Sequence, residues 1–236
     1  MKNLFILLAV LLTLGVTAQN NVGSGNALDF SVGSYVDLPT SYSTMTFPVT
    51  IALWYSPNVA GSNQSVIFSS SSLVPNYQGW WMQLTANNTL NIAFGDGNGG
   101  NNSAFRRTGS SNLPALQPNQ WYHFAGVIRS ATDMDIYING ISQAVSYSGS
   151  GGAYSNATSA GSISAPINNN PRRLNAQLDE LSIWDRALTA AEIRDLMCSK
   201  LAGNEPGLRG YYRFDATTGN TLTDFGPNGN NGTLQN

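Results

Sequence analysis

The sequence predicts an all-β protein, built as a two-sheet antiparallel sandwich with one short C-terminal helix. Short apolar runs recur at hairpin spacing along most of the chain. The gaps between them are filled with Gly, Ser, Asn and Thr, which are turn-forming residues. A single segment near the C-terminus has helical spacing instead. Because the runs are rich in aromatic and β-branched residues, the gaps indicate turns and not disorder.

The N-terminus has the composition of a secretory signal peptide. Lys2 is followed by the apolar run 4–12 and then by small residues that end at Ala18. The run is too short to cross a bilayer comfortably. We expect residues 1–18 to be the signal peptide, with cleavage after Ala18. The mature protein is then secreted to the extracellular space or cell surface, with no membrane insertion after cleavage.

The composition of residues 19–236 is that of one exported β-domain with few charges. The chain has 11 basic and 13 acidic residues, and no dense basic patch of the kind that binds nucleic acid. Cys198 is the only cysteine, so an intrachain disulfide is excluded. Since Cys198 falls within the predicted helix, we expect its thiol to be buried.

The strands are predicted from apolar runs and from the turns between them. Phe47–Tyr55 and Trp121–Arg129 are apolar on both faces, which is typical of strands between two layers. Asn139-Gly140 predicts a tight hairpin, because both residues tolerate positive φ. The other predicted strands are 27–30, 35–38, 66–69, 79–85, 89–94, 134–138, 141–145, a weak one near 163, 177–184 and 211–214.

The C-terminal helix is predicted over Ala190–Lys200. Thr189 is its expected N-cap, and Glu192 completes a capping box. Its buried stripe is expected to contain Ile193, Leu196 and Met197, which have helical spacing. The polar stretch 146–170 is predicted to be a loop, and loops of this length often carry binding residues.

Five segments in this order resemble the laminin-G-like, or concanavalin A-like, jelly-roll family, including its pentraxin-related branch. They are ALDFSVGSYVDLP (27–39), VTIALWYSP (49–57), NQWYHFAGV (119–127), DIYING (135–140) and LDELSIWDRALTAAEI (178–193). The resemblance implies a LamG-like jelly-roll domain over residues 19–205, with a curved concave face. The tail, 206–236, is similar to a segment that flanks such domains in secreted bacterial multidomain proteins. It is expected either to pack on the sandwich or to lead to a further module.

The same resemblance implies a structural calcium ion at the edge of a sheet. Asp179, in the Leu-Asp-Glu of the C-terminal strand, matches the family pattern. Ser31 and Ser34 stand where the family commonly has acidic residues, and a hydroxyl is a poorer ligand for a hard cation than a carboxylate.

The residues themselves leave two interpretations of Asp179 open. Simple alternation places it on one strand face with Leu181 and Ile183, where a carboxylate is costly unless it is paired or binds a metal. Asp29, on the first strand, is the nearest acidic candidate to complete a metal site with it. Alternatively, Asp179 accepts hydrogen bonds from a neighbouring turn.

The candidate ligand-binding residues are aromatic and basic side chains on neighbouring hairpins. Tyr77, Trp80 and Trp81 lie together in the sequence, and Arg106 and Arg107 follow one hairpin later. Sugar rings stack on aromatic faces, and guanidinium groups donate paired hydrogen bonds. Because Trp80 and Trp81 point to opposite faces of a strand, we expect at most one of them in the core. The alternative is that these aromatic residues are simply packed in the sandwich.

Catalytic residues are not indicated by the sequence. His123 is the only histidine and lies on a strand that is apolar on both faces, where a structural role is expected. The glycanases of this overall fold place their carboxylates at Glu-x-Asp-x-x-Glu spacing, and Glu180, Glu192 and Glu205 do not have it.

The function predicted from these observations is that of a secreted, non-catalytic module that binds polysaccharide or a cell-surface glycan. The alternatives are a protein-interaction or adhesion domain with a surface protein as partner, and a hydrolase or lyase of the same fold. The pattern of residues does not indicate an oligomeric state.

Overall fold

A computed structural model of the protein describes residues 26–30, 34–61, 64–71, 73, 77–98, 103–151, 160–164 and 173–235. The predicted signal peptide, residues 1–18, and its cleavage point lie outside the described residues. Within the described residues, none of the helices has the length and apolar character needed to cross a bilayer.

The described residues contain sixteen strands, one α-helix and two short 3₁₀ helices. The α-helix, α1, spans Ala190–Asp195, and the 3₁₀ helices span Thr40–Tyr42 and Ser103–Phe105. The strands are β1 Leu28–Asp29, β2 Tyr35–Asp37, β3 Val49–Pro57, β4 Ser65–Ser69, β5 Gln78–Leu84, β6 Thr89–Asp96, β7 Arg106–Asn112, β8 Tyr122–Ser130, β9 Asp133–Ile138, β10 Ile141–Gln143, β11 Ser146–Ser148, β12 Ser162–Ile163, β13 Ala176–Trp184, β14 Leu208–Tyr212, β15 Thr221–Leu222 and β16 Gly232–Gln235.

These strands form two antiparallel sheets. Over the described part of the chain, sheet 1 has seven strands in the order β1-β13-β3-β8-β9-β10, and β14 also pairs with β13. Sheet 2 has nine strands in the order β11-β7-β6-β5-β4-β12-β2-β16-β15. The predicted all-β, two-sheet antiparallel sandwich with one short helix is confirmed.

The main core lies between the two sheets. Leu53 on β3 and Phe124 on β8 are completely buried, and they face Trp80 and Ile92 from sheet 2 in the same apolar cluster. At Gly126 on β8, a Cβ atom would collide with the Cγ2 atom of Ile92. The sheets therefore approach closely at this point, which is why the doubly apolar strand contains a glycine.

The C-terminal tail contributes strands to both sheets. β14 pairs with β13 in sheet 1, and β16 pairs with β2 in sheet 2. Asp224, which is 6% exposed, accepts backbone N–H groups from Tyr211, Gly226 and Asn230, each at 2.7 Å. A buried carboxylate is stable when several N–H groups satisfy it, so Asp224 fixes the turn between the two contributions of the tail.

The predicted helix begins as expected. The Thr189 hydroxyl accepts the N–H group of Glu192, and the Glu192 carboxylate accepts the N–H group of Thr189 at 2.8 Å. Ile193 is completely buried against the outer face of sheet 1, whereas Leu196 and Met197 are half-buried. The capping box therefore sets the N-terminus of α1, as the sequence predicts.

The end of the helix and the position of its cysteine differ from prediction. The helix ends at Asp195 and not at Lys200, because the chain continues in tighter turns over 196–198. Cys198 is exposed. The prediction that its thiol is buried is wrong, since the helical periodicity on which it depended does not extend that far.

Four strands were not predicted. The sequence of β7, RRTGSSN, has no apolar alternation, yet it pairs along its whole length with β6. β11 lies within the predicted loop 146–170, and β15 and β16 lie within the tail, 206–236. Each of these strands forms because a neighbouring strand offers an unpaired edge, and single-sequence periodicity does not report such an edge.

Candidate functional site

The outer face of sheet 2 carries the nearest match to the predicted binding surface. On β5 and β6, the residues Trp80, Met82, Leu90 and Ile92 point into the main core. Alternation along a strand therefore sends the residues between them to the outer face. This places Trp81, Gln83, Asn91 and Ala93 on the side away from sheet 1.

Both predicted tryptophans are buried. Trp80 and Trp81 are each 1% exposed, Trp80 in the main core and Trp81 in a small apolar cluster on the outer face. The two rings point to opposite faces and only Trp80 is in the main core, as expected, but Trp81 is buried as well because it packs with Leu73 and Tyr77 on the outer face. Neither indole offers a free face for a sugar in this structure.

The structure brings together three of the five predicted ligand-binding residues. Tyr77 and Trp81 have ring centroids 5.7 Å apart, and the Arg106 guanidinium lies 4.6 Å from the centre of the Tyr77 ring. Tyr77 is itself 4% exposed, so Arg106 is the half-buried member that borders the surface. A guanidinium stacked on an aromatic ring is held in a fixed plane, which suits it for paired hydrogen bonds.

Arg107 points away from this group. Its Nε atom donates to the carbonyl of Ala131 at 2.5 Å, and its Nη1 atom donates to the carbonyl of Gly149 at 2.6 Å. Its guanidinium also lies 4.9 Å from the centre of the Tyr147 ring. These contacts give Arg107 a structural role in joining β7 to the loops around it.

A row of polar side chains on this face was missed by the sequence analysis. Strand pairing puts Gln83 opposite Asn91, and Asn91 opposite Ser110. Thr89 Oγ1 donates to the Asn91 side-chain oxygen at 2.9 Å, which orients the amide. Gln83 and Ser110 make no side-chain hydrogen bond to other described residues. The sequence does contain a sign of this row. In the runs GWWMQLT (79–85) and TLNIAF (89–94), Gln83 and Asn91 alternate with core residues at a period of two, which is typical of the outward face of a strand.

The two predicted metal ligands have separate partners. Asp29 Oδ1 accepts the side-chain N–H of Asn58 at 2.9 Å, and Asp179 Oδ1 accepts the backbone N–H of Glu180 at 2.9 Å. The second contact comes from the next residue of the same strand and not from a neighbouring turn. Within the described ranges, no group of three or more His, Cys, Asp or Glu residues is arranged to hold a metal ion. Calcium at Asp179 and Asp29 remains an untested prediction.

The face on which Asp179 lies differs from simple alternation. Glu180 has a φ of 51°, and the pairing of β13 with β3 shifts register between Asp179 and Ser182. This β-bulge adds a residue, so Asp179 lies opposite the outward-pointing Trp54 while Leu181 and Ile183 point into the core. The predicted common face of Asp179, Leu181 and Ile183 is therefore wrong.

The side chain of Lys200 lies among the acidic residues around Asp179. Lys200 Nζ lies 3.3 Å from Glu180 Oε1 and 3.6 Å from Asp215 Oδ2, and the Tyr211 hydroxyl donates to Glu180 Oε2. The positive charge that a cation would supply beside Asp179 is thus already present in the chain. Calcium takes six to eight oxygen ligands, and among the described residues around Asp179 the carboxylates of Glu180 and Asp215 are already paired with Lys200.

Burial raises the pKa of Asp179 to about 7. The negative charge of Glu180 adds to the increase, while the Glu180 N–H group and Lys200 oppose it. An acid with a raised pKa is protonated in the folded state at a pH at which it is ionised in the unfolded state. Its contribution to stability is complete below about pH 4 and is lost as the pH rises through about 7.

We expect the Asp179→Asn variant to become increasingly more stable than the wild type as the pH rises. The amide keeps the hydrogen bond to Glu180 and removes the ionisation, so the gain between pH 4 and pH 8 should reach roughly 2–4 kcal/mol. Urea unfolding at several pH values, with chelator present, measures the difference. The exposed Asp195→Asn is the control. A gain that does not change with pH would contradict the assignment.

His123 has the environment of a structural residue. It is 2% exposed, and burial lowers its pKa to about 4, so the imidazole is neutral at physiological pH. Its ring packs edge-on against Trp54, with centroids 5.2 Å apart. Its Nδ1 atom has no hydrogen-bond partner among the described residues. A catalytic histidine of a triad needs an orienting partner at that position.

Comparisons with known proteins agree with the fold. A laminin G family model, described as the concanavalin A-like lectin/glucanases superfamily, matches residues 30–194. No curated protein is similar enough to the chain to count as a relative.

Solved structures share the architecture at low sequence identity. A protein from Bacteroides ovatus ATCC 8483 that has been proposed to bind carbohydrate matches 89% of this chain, with a TM-score of 0.66 and 20% identity. The present chain spans 58% of that protein's length. Domain 4 of the arabinanase AbnA from Geobacillus stearothermophilus, in complex with arabinotriose, has a TM-score of 0.48 and 20% identity over 72% of this chain and 75% of its own. The heptameric pentraxin of Limulus polyphemus has a TM-score of 0.42 and 18% identity over 74% and 86%.

Proposed function

Because the chain belongs to the concanavalin A-like lectin/glucanases superfamily, we propose that it is a secreted, non-catalytic module that binds polysaccharide or a cell-surface glycan. The ligand lies on the outer face of sheet 2. The similarity in fold to a protein proposed to bind carbohydrate supports this ligand class. The signal-peptide pattern of residues 1–18 supports an extracellular location.

The observation that carries the proposal is the polar row on sheet 2. Gln83, Asn91 and Ser110 are lateral neighbours on three adjacent strands and point away from the core; Gln83 and Ser110 are half-buried, and Asn91 between them is 9% exposed. Planar amides and hydroxyls on a rigid sheet are suited to the hydroxyl groups of a sugar, each of which both donates and accepts. Arg106, held over Tyr77, lies on the same face but four residues along β7 from Ser110, with the row of Trp81, Ala93 and Thr108 between them.

The absence of catalysis is supported by the contacts of the glutamates. The chain has three, and each makes structural contacts. Glu180 contacts Tyr211 and Lys200, and Glu192 closes the capping box and pairs with Arg186 at 2.7 Å. Glu205 accepts the N–H groups of Ala202 and Gly203. A glycosidase needs two carboxyl groups that face the scissile bond across a substrate site.

A glycan array probed with residues 19–236 tests the proposal. We expect binding to one class of neutral or acidic glycan, and a loss of roughly tenfold or more in affinity in the double variant Gln83→Ala/Asn91→Ala, since two hydrogen bonds are removed. Asn204→Ala, a solvent-exposed amide outside this face, is the matched control.

Three results would contradict the proposal in different ways. Unchanged affinity in the double variant would move the site off sheet 2. Release of reducing ends from polysaccharide would favour the hydrolase or lyase. Absence of glycan binding, together with saturable binding to a purified surface protein, would favour the adhesion domain.

A further inference from the structure

The outer face of sheet 1 is divided into a covered half and an open half. Helix α1 and the segments around it pack against Ala52, Ala125 and Tyr137, which lie in one buried apolar cluster. Trp54 and His123 lie one side-chain row further along β3 and β8, outside that cluster. In this half His123, Ser56 and Asp179 are buried, whereas Trp54 and Gln177 are half-buried and Trp121 is exposed, so the accessible part is the strip from Trp54 to Trp121.

Two tryptophans point outward on the open half. Trp54 is paired with His123, and both alternate with residues of the main core. Trp121 comes two residues before His123 and next to the core residue Tyr122, so it belongs to the same outer face. The N–H group of Asn119 donates to the carbonyl of Pro57 at 2.8 Å, which holds the start of β8 beside the end of β3.

The exposure of these rings separates them from the other tryptophans. Trp121 is 37% exposed and Trp54 is half-buried, whereas Trp80, Trp81 and Trp184 are at most 2% exposed. Diagonal neighbours on antiparallel strands have Cα atoms about 7–8 Å apart. The two indoles are thus separate contact points on one shelf, and not one stacked pair.

Polar groups border the shelf on the side of β13 and β1. Gln177 pairs with Ser56 and with Asp29, in the row next to Trp54. The Gln177 side chain is half-buried and makes no hydrogen bond to other described residues. Asn58 Nδ2 donates to Asp29 Oδ1 at 2.9 Å and to the side-chain oxygen of Asn175 at 3.2 Å, which fixes the rim.

We propose that this shelf, formed by Trp54, Trp121 and Gln177, is a second saccharide site that takes neutral pyranose rings. The C–H face of a pyranose stacks on an indole, and the Gln177 amide bonds its hydroxyls in both directions. The inference takes its ligand class from the proposed function, but it concerns the opposite sheet and different residues.

The charges around the shelf set the ligand class. The Asp29 carboxylate is on the rim, and Lys200, beyond Asp179, is paired with Glu180 and Asp215. Uronic and sialic acids would meet a negative group here, whereas the outer face of sheet 2 carries the positively charged Arg106. The two sheets therefore differ in the sign of the charge that they present to a glycan.

The size of the shelf argues against a second copy of the chain as the occupant. Two aromatic side chains supply about 150–250 Å² each at most, and Trp54 is already half-buried. A stable dimer interface needs about 800 Å² from each partner. The shelf matches the footprint of an oligosaccharide better.

Isothermal titration calorimetry of residues 19–236 tests this site with four neutral hexasaccharides, those of cellulose, xylan, mannan and laminarin, and with heparin hexasaccharide as the acidic probe. We expect one or more neutral probes to bind, and Trp121→Ala to weaken that binding roughly tenfold. Gln177→Ala should weaken it in the same direction. Neither change should affect heparin binding, if heparin binds. Phe225→Ala removes another exposed aromatic ring and is the matched control.

Five outcomes separate this inference from the proposed function. Retention of neutral-probe binding in Gln83→Ala/Asn91→Ala, together with its loss in Trp121→Ala, supports the second site. Loss in the double variant alone overturns the second site and leaves the proposed function standing. Binding of no neutral probe by the wild type overturns the second site, and binding of no probe of either class contradicts both. A dimer in sedimentation experiments that Trp121→Ala converts to a monomer assigns the shelf to self-association and overturns the inference.

Discussion

Removal of residues 206–236 is expected to prevent the domain from folding, although the family model matches only residues 30–194. β14 pairs with β13 in sheet 1, and β16 pairs with β2 in sheet 2. Without them, both strands lose a hydrogen-bonded neighbour at once. Five large side chains would also leave the interior, each at most 4% exposed: Leu208, Tyr211, Tyr212, Phe214 and Leu222.

The expected effect is large compared with the stability of a typical domain. Burying each of these side chains contributes roughly 2 kcal/mol, and a domain is stable by only about 5–15 kcal/mol in total. The tail also contains Asp224, whose three N–H donors belong to the tail itself. The tail is therefore held together by its own hydrogen bonds, and it stabilises β13 and β2, the strands with which it pairs.

The experiment compares residues 19–205 with residues 19–236 by circular dichroism and by thermal unfolding. We expect the shorter protein to lack a cooperative transition. The matched control keeps the tail and replaces the exposed residues 216–219 with Ser-Gly-Ser-Gly, which retains the glycine at position 219, where φ is 90°, and should leave the melting temperature within a few degrees. A cooperative transition in residues 19–205 would instead support a domain that is complete before the tail.

The sequence predicted the elements whose own side chains determine their structure. β3 and β8 are apolar on both faces, because they lie in the middle of sheet 1 with helix α1 over part of the outer side. The Thr189–Glu192 capping box and the Asn139-Gly140 hairpin are local, and both are observed. In each case the information lies within a few residues of the element that it specifies.

The elements that were missed depend on distant partners. β7 has no apolar alternation and forms because β6 offers an edge. The bulge at Glu180 adds one residue to β13, and it reverses the face of Asp179 relative to simple alternation. A register shift of this kind moves every later residue of the strand to the opposite face. The residues next to Glu180 in the sequence do not indicate that such a shift occurs.

The sequence predicted only part of the candidate site. The sequence located the binding surface near Tyr77, Trp81 and Arg106, which are in contact on the outer face of sheet 2. It gave weight to aromatic rings that the structure buries and not to the polar residues between them. A polar residue that alternates with core residues on a central strand must face outward, so Gln83 and Asn91 could have been identified from strand period alone.

Trp80→Ala and Trp81→Ala are both expected to destabilise the protein strongly, and any loss of glycan binding should follow from unfolding. Trp80 packs against Phe68 in the main core, with ring centroids 4.8 Å apart, and its removal should cost about 3–5 kcal/mol. Trp81 lies in the smaller cluster with Tyr77 and Leu73. Because that cluster is nearer to solvent and can relax, its loss should be less costly than the loss of Trp80.

Urea unfolding of the two variants, followed by glycan binding well below the unfolding midpoint, separates packing from recognition. Trp121→Ala is the stability control, because a ring that is 37% exposed should contribute within about 1 kcal/mol. If the folded fraction of Trp81→Ala binds glycan as the wild type does, the indole is a support for the outer face of sheet 2. If Trp81→Ala keeps wild-type stability and loses binding, Trp81 contacts the ligand directly, and the outer cluster must open to expose it.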